Sequence, residues 1–224
     1  MSATEAGSSP VPGGGIRRLY LIRHGEAATV VPDGLVGDPW LAPLTSRGRA
    51  QIGDLAEALS ACGLDLLVTS AVPRALETAA ILAGRTGLRP VVEEALNELR
   101  AGEVLAGPPE EVRQAIREAY REAGRPGARF LGGESFAAFG QRIEQGLNRV
   151  LEAPGWTRAA VVTHEPAIRY VLARCQGLGL AGLAAFQAGS ASVSILECLP
   201  GAFAAGAATL RLTNGTGFDA LHMP

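Results

Sequence analysis

Hydrophobic positions along this chain fall into short unbroken runs and longer periodic stretches, and the two alternate. Leu19 to Ile22, Leu64 to Thr69 and Ala159 to Thr163 are continuous and apolar, the pattern of strands buried on both faces. Between them, apolar residues recur at helical spacing. Ile52, Leu55, Ala56 and Leu59 follow Thr45, a good N-cap, and stop near Cys62-Gly63. Leu76, Ala79, Ala80 and Leu82 follow Pro73 and stop at Gly84 to Gly87. Glu110 to Ala123 predicts a charged helix with a modest stripe of Val112, Ile116, Ala119 and Tyr120. A more amphipathic helix follows, with Phe136, Phe139, Ile143, Leu147, Val150 and Leu151 on its apolar side. Another begins after His164 and runs to about Cys175. Pro90 to Leu96 reads as a short extended segment. Val193 to Cys198 and Ala208 to Thr213 read as an antiparallel pair at one sheet edge.

Buried strands alternating with helices predict an α/β fold, a three-layer α/β/α sandwich around a mostly parallel sheet. In such sheets ligands bind beyond the carboxyl ends of the strands. Three of the predicted strands end in chemistry. The first breaks into Arg23-His24-Gly25-Glu26, the second into Ser70-Ala71-Val72-Pro73-Arg74, and the third into His164-Glu165-Pro166. Arg23 offers a permanently charged planar fork suited to phosphate, and His24 a nucleophile or proton carrier. Gly25 lets the backbone turn and a ligand come close. Arg74 stands where a helix begins, a place that favours anions. The third histidine, His222, lies in the terminal peptide and reads as solvent-exposed.

Composition narrows the partners. The chain has 224 residues, 47% of them hydrophobic and 19% charged, with a formal net charge of -2. That balance argues against a general nucleic-acid or anionic-membrane binder. Residues 1–15 are rich in Ser, Pro, Gly and Ala and read as a disordered tail; 16–224 read as a single domain. The tail lacks a signal core, and the apolar stretch Leu178 to Ala191 is short and interrupted, so no membrane span is expected. Three sparse cysteines (Cys62, Cys175, Cys198) suit reduced thiols in a cytoplasmic protein.

Taken together, the motifs resemble the histidine phosphatase superfamily, which includes the cofactor-dependent phosphoglycerate mutases. The resemblance runs from Leu19 to about Thr213. Arg23 to Glu26 matches R-H-G-E. Leu44-Thr45 with Gly48 and Gln51 is similar to L-T-x-x-G-x-x-Q, and Ser70 to Ala79 to S-x-x-x-R-A-x-x-T-A. Glu98 with Gly102 and Gly107 fits L-x-E-x-x-x-G, Gly132 to Ser135 fits G-G-E-S, and Val161 to His164 fits V-V-x-H. The resemblance implies a phosphoglycerate mutase-like fold and a phosphohistidine on His24. It implies a phosphate pocket of Arg23, Arg74, His164 and Thr45, and Glu98 as the general acid. His24 must be neutral to attack, so its other nitrogen is expected on a backbone carbonyl. The pKa of Glu98 is expected to be raised by its surroundings, including the anionic substrate.

No metal or other cofactor is implied. Two histidines and a glutamate can ligate zinc, but the spacing is not a recognised ligand motif and two arginines nearby repel a cation. The chain departs from the family pattern in three places. An asparagine is usual six residues after the first histidine, and Val30 stands there. Glycine usually follows the second histidine, and Glu165 stands there, expected to face solvent. Leu105-Ala106-Gly107 replaces Trp-Glu-Gly. The compact stretch between Glu98 and His164, with G-G-E-S inside it, favours hydrolysis. The expectation is therefore a histidine acid phosphatase-type phosphoric monoester hydrolase acting on a small-molecule phosphate ester. Phosphoglycerate mutase-type transfer and a non-catalytic phospho-ligand binder are the alternatives. Residues at about 102–139 are expected to form a partial helical lid, whose Arg113, Arg117, Arg121, Arg125 and Arg129 read as a solvated face. The oligomeric state is not legible, and a homodimer stays open.

Overall fold

The computed structural model describes residues 15–28, 40–102, 108–199 and 208–216. The expected tail (Gly15 apart), Val30, Leu105 to Gly107 and His222 lie outside the described residues. Six strands form one sheet in the order β3-β2-β4-β1-β5-β6. They are β1 (Arg17–Arg23), β2 (Leu66–Thr69), β3 (Val91–Val92), β4 (Arg158–Thr163), β5 (Val193–Cys198) and β6 (Ala208–Gly215). The first four are mutually parallel, and β5 and β6 close one edge antiparallel, as the sequence predicts. The segment after Pro90 is extended for two residues only. It then tightens into a 3-10 turn at Glu94–Leu96, capped by the Glu93 carboxylate on the Ala95 N–H.

Strand periodicity divides the core in two. Tyr20, Ile22, Leu67, Ala160 and Val162 face α1 (Ser46–Ser60) and α2 (Pro73–Thr86). Leu19, Leu21, Val68, Ala159 and Val161 face the other layer, α4 (Phe136–Glu152) and α5 (Glu165–Cys175), with α3 (Pro109–Glu122) packed beyond. Successive residues of one strand point to opposite faces, so a continuous apolar run is what a sheet covered on both sides requires. The apolar side of α4 is buried throughout, and each large side chain there contributes about 1.5–3 kcal/mol. On α2 the buried face is Arg74, Ala75, Thr78, Ala79 and Leu82; Leu76 is exposed, contrary to the pattern-based expectation. Part of Leu178 to Ala191 winds into a 3-10 helix at Gly179–Ala185 under α5. No described helix is long and apolar enough to cross a membrane.

The parallel register positions the chemistry. Arg23 pairs with Thr163 across β1 and β4, and the His24 N–H donates to the Thr163 carbonyl at 3.2 Å. The residues that follow, His24 and His164, therefore emerge side by side with ring centroids 5.2 Å apart.

Candidate active site

His24 is 5% exposed and leaves β1 into a loop pressed against the start of α1. A Cβ on Gly25 would lie 2.5 Å from the Gly48 carbonyl, and one on Gly48 would lie 2.1 Å from the Glu26 carbonyl. Gly25 is thus required for close approach of another backbone, rather than of a ligand. The Gly25 N–H donates to Thr78 Oγ1 on α2, and the Glu26 N–H to Gln51. Thr45 is the N-cap of α1: its hydroxyl accepts from Gly48 and donates to the Glu26 carboxylate. The one proton of that hydroxyl is taken by Glu26, so in this structure Thr45 caps the helix rather than facing the phosphate site expected for it.

His24 Nδ1 lies 2.7 Å from the Gly25 carbonyl, which can only accept, so Nδ1 carries the proton. Nε2 is left with its lone pair and accepts from Arg74 Nε at 3.0 Å. Burial, then His164, Arg74 and Arg23, hold the imidazole well below its ordinary pKa and keep it neutral. Arg74, at the start of α2, also donates from NH2 to Glu98 Oε2 at 3.1 Å. One guanidinium therefore spans the candidate nucleophile and the candidate acid.

His164 is fully buried at the end of β4. Its Nε2 is 2.8 Å from Ser70 Oγ, which also accepts weakly from the Val72 N–H at 3.4 Å. Its Nδ1 is 3.3 Å from Glu98 Oε2 but off the hydrogen-bonding direction. Burial lowers the His164 pKa against the opposing pull of Glu98. Burial pushes the Glu98 carboxyl up, but His164, Arg74 and His24 outweigh it and hold it well below the carboxylate range. The raised pKa expected from the sequence counts the anionic substrate among its causes; in the ligand-free site the shift runs the other way. Without ligand Glu98 is ionised, because a permanent cation is bonded to it.

Arg23 brings a second guanidinium. Its NH1 donates to the Ala188 carbonyl at 2.6 Å and lies 3.1 Å from Glu165 Oε2. Glu165 does not simply face solvent, as had been expected. Its other oxygen accepts from both Arg169 Nε and NH2, and Arg169 in turn lies over the Tyr120 ring of α3 at 5.0 Å. Among the described residues, Arg23 Nε and His164 Nδ1 are buried without a hydrogen-bond partner. Such groups are costly unless something else satisfies them.

The structure thus gathers His24, Arg23, Arg74, Glu98 and His164, and leaves Thr45 aside. Sequence reasoning passed over Ser70, Thr78 and Arg169. Ser70 and Thr78 carried a signal, both standing at fixed positions of the quoted S-x-x-x-R-A-x-x-T-A motif; Arg169 is a helix residue with no local mark. Arg113 and Arg117 pair with Glu110, and Arg125 with Glu122, in keeping with a solvated face. Trp40 lies under the Arg100 guanidinium at 4.6 Å. All three cysteines are buried thiols outside any disulfide. His24, Glu98 and His164 offer ligand atoms within 4.8 Å of one another, a geometry a metal ion could use. Arg74 already bonds two of the three.

A neutral histidine backed by arginines at the carboxyl ends of parallel strands defines a phosphoryl-transfer site. The model of the histidine phosphatase superfamily (branch 1) matches residues 19–209, and the chain belongs to that superfamily. The relatives it matches are named as mutases and as phosphatases. It is 32% identical to a probable phosphoglycerate mutase GpmB of Yersinia enterocolitica, over 72% of this chain and 75% of that protein. The structure superposes on a putative alpha-ribazole-5'-P phosphatase of Escherichia coli with a TM-score of 0.71 and 28% identity. That match covers 90% of this chain and 97% of the other. A mycobacterial glucosyl-3-phosphoglycerate phosphatase gives 0.72 at 25% identity, covering 89% and 99%.

Proposed function

We propose that the protein is a metal-independent phosphomonoesterase that hydrolyses small phosphorylated metabolites through a phosphohistidine on His24. The observation that carries this reading is the tautomer: Nδ1 is tied to the Gly25 carbonyl, so Nε2 presents its lone pair beside Arg74. Arg23 and His164, with an unpartnered N–H or ring nitrogen each, suit the oxygens of a phosphoryl group.

Chemistry follows from the ionisation states. An arriving ester oxygen takes the Arg74 Nε–H and frees Nε2. The Nε2 lone pair attacks phosphorus, the P–O bond to the alcohol breaks, and Arg23, Arg74 and His164 stabilise the equatorial oxygens. The leaving oxygen needs a proton, yet Glu98 is ionised before binding. The substrate supplies it, since a phosphomonoester with a second pKa of about 6 arrives partly as the monoanion. Its proton passes to Glu98 once the phosphate has engaged Arg74, and from Glu98 to the alcohol. Water, deprotonated by Glu98, then attacks the phosphohistidine and the P–N bond breaks; the Glu98 proton leaves with the phosphate, so His24 and ionised Glu98 are both restored. The low pKa of His24 keeps the nucleophile free in mild acid, which favours the acid-phosphatase type.

Similarity to a protein named as a probable mutase supports a second reading, transfer of the phosphoryl group back to phosphoglycerate. We keep the single domain over 16–224 with its partial lid at about 102–139 in this proposal, since Tyr120 of α3 reaches Arg169. The test is phosphate release from a panel of phosphomonoesters, with EDTA throughout, by wild type and His24→Ala. Turnover by wild type alone, with a 31P signal of phosphohistidine after acid-free quenching, is the expected result. Undiminished turnover by folded His24→Ala overturns it. Isomerisation of phosphoglycerate outrunning phosphate release selects the mutase reading instead.

A further inference from the structure

Glu98 stands in a stretch, from the end of the 3-10 turn to Gly102, that has no helix or strand of its own. Buried backbone needs partners, and here three carbonyls find theirs on one side chain. Arg142, on α4, donates from NH1 to the carbonyls of Ala95 at 2.8 Å and Asn97 at 2.6 Å, and from NH2 to the carbonyl of Glu98 at 2.8 Å. Thr163 covers the carbonyl between them, Leu96, at 2.7 Å. The rest of the Arg142 fork is locked on Glu134, Nε to Oε1 at 2.7 Å and NH2 to Oε2 at 2.8 Å. Glu134 itself holds the far end of the stretch. Its Oε2 accepts from the Arg100 N–H at 3.2 Å, and its own N–H donates to the Arg100 carbonyl at 2.8 Å.

This accounts for the G-G-E-S motif. A Cβ on Gly133 would lie 2.3 Å from both the Arg100 carbonyl and the Gly102 N–H. Only glycine lets Glu134 come this close, and Ser135 then caps α4 so that Arg142 falls two turns along the same helix. Arg142 and Glu134 are largely buried, at 23% and 16% side-chain exposure. A buried Arg that satisfies both a carboxylate and three carbonyls is a rigid template.

We infer that Arg142, fixed by Glu134, is a positioning residue that sets the Glu98 carboxyl for proton transfer to the leaving oxygen. The inference rests on the reading of Glu98 as the acid. The hydrogen bonds of Arg142 go to Glu134 and to the carbonyls of Ala95, Asn97 and Glu98, so it acts through the backbone of residues 95–98.

A leaving-group series tests it. Aryl esters such as p-nitrophenyl phosphate expel a stable anion and gain little from an acid, whereas alkyl esters need the proton. Arg142→Lys keeps the charge but cannot hold three carbonyls and a carboxylate together. It is expected to lower kcat on an alkyl phosphate about tenfold or more, and on p-nitrophenyl phosphate within about threefold. Inhibition by vanadate, which needs His24, Arg23, Arg74 and His164 but no proton from Glu98, is expected to stay within about threefold of wild type. Glu134→Gln keeps the shape and weakens the same clamp, so it gives the same selective loss and stands in if Arg142→Lys does not fold. In a Glu98→Gln background, Arg142→Lys is expected to add nothing on alkyl esters. Equal losses on both ester classes, or vanadate weakening in step, overturn the inference. Failure of Glu98→Gln itself to show leaving-group dependence overturns the acid reading and is distinguishable from either.

Discussion

Replacing Arg74 by Lys separates charge from geometry at the centre of the site. The side chain is 7% exposed and reaches two groups at once, His24 Nε2 at 3.0 Å and Glu98 Oε2 at 3.1 Å. The guanidinium does this because Nε and NH2 are separate donors held at a fixed spacing in one rigid plane. A Lys ammonium keeps the charge but sits at a single point, and can satisfy one of the two directions. A hydrogen bond to a charged group contributes about 1.5–3 kcal/mol. Losing one such contact to the transferring phosphoryl group corresponds to about a 10- to 150-fold fall in kcat/KM, at 1.36 kcal/mol per tenfold. Arg74→Met loses the charge as well, and falls at least about 10³-fold. The assay is initial-rate phosphate release, with vanadate inhibition measured in parallel. Vanadate affinity and kcat/KM should fall together, because both depend on oxygens held by the same fork. If Arg74→Lys retains more than about a third of wild-type kcat/KM with an unchanged melting temperature, the argument from fork geometry is wrong.

Further outcomes follow from the buried partners. Ser70→Ala leaves His164 Nε2 buried without its 2.8 Å partner, at a cost of about 1–3 kcal/mol. At about 2–4 °C per kcal/mol for a chain of this size, melting should fall by a few degrees and kcat with it. No change in either would show that Ser70 does not orient His164. Stability should also depend on pH through His24. Burial first, then His164, Arg74 and Arg23, lower its pKa in the fold below the ordinary 6.5. The unfolded chain therefore takes up a proton below pH 6.5 that the fold refuses. The stability is fully present above that value and is lost as pH falls, by up to about 1.36 kcal/mol per pH unit. Urea titrations between pH 7.5 and 5 should show this slope, and His24→Gln should flatten it; an identical slope in the variant refutes the assignment.

Much of the architecture was legible from pattern alone, because a strand buried on both faces and a helix buried on one leave different signatures. The strand ends at Arg23-His24, Ser70 and His164 were legible for the same reason: an apolar run that stops at a reactive residue marks the edge of a sheet. What neighbours what was not legible. That His24 lies beside His164 follows from the register of β1 on β4, which ties residues about 140 positions apart. The ionised state of Glu98 depends on Arg74 and His164 converging from two other strand ends, and no local spacing announces that. Thr45 carried a true helix-start signal, and tertiary packing then spent its hydroxyl on Glu26 instead of on a ligand. Glu165 looked like an exposed departure in a linear string, yet folding sets it between Arg23 and Arg169. The Arg142–Glu134 clamp was the least legible, since Arg142 is one more charge on an amphipathic helix until the irregular stretch at 95–98 is laid across it. Local propensity and hydrophobic period decided the elements and which residue types stand at their ends. Which tautomer, which charge state and which side chain holds which were decided by contacts distant in sequence, through burial and close-range electrostatics that only the assembled fold creates.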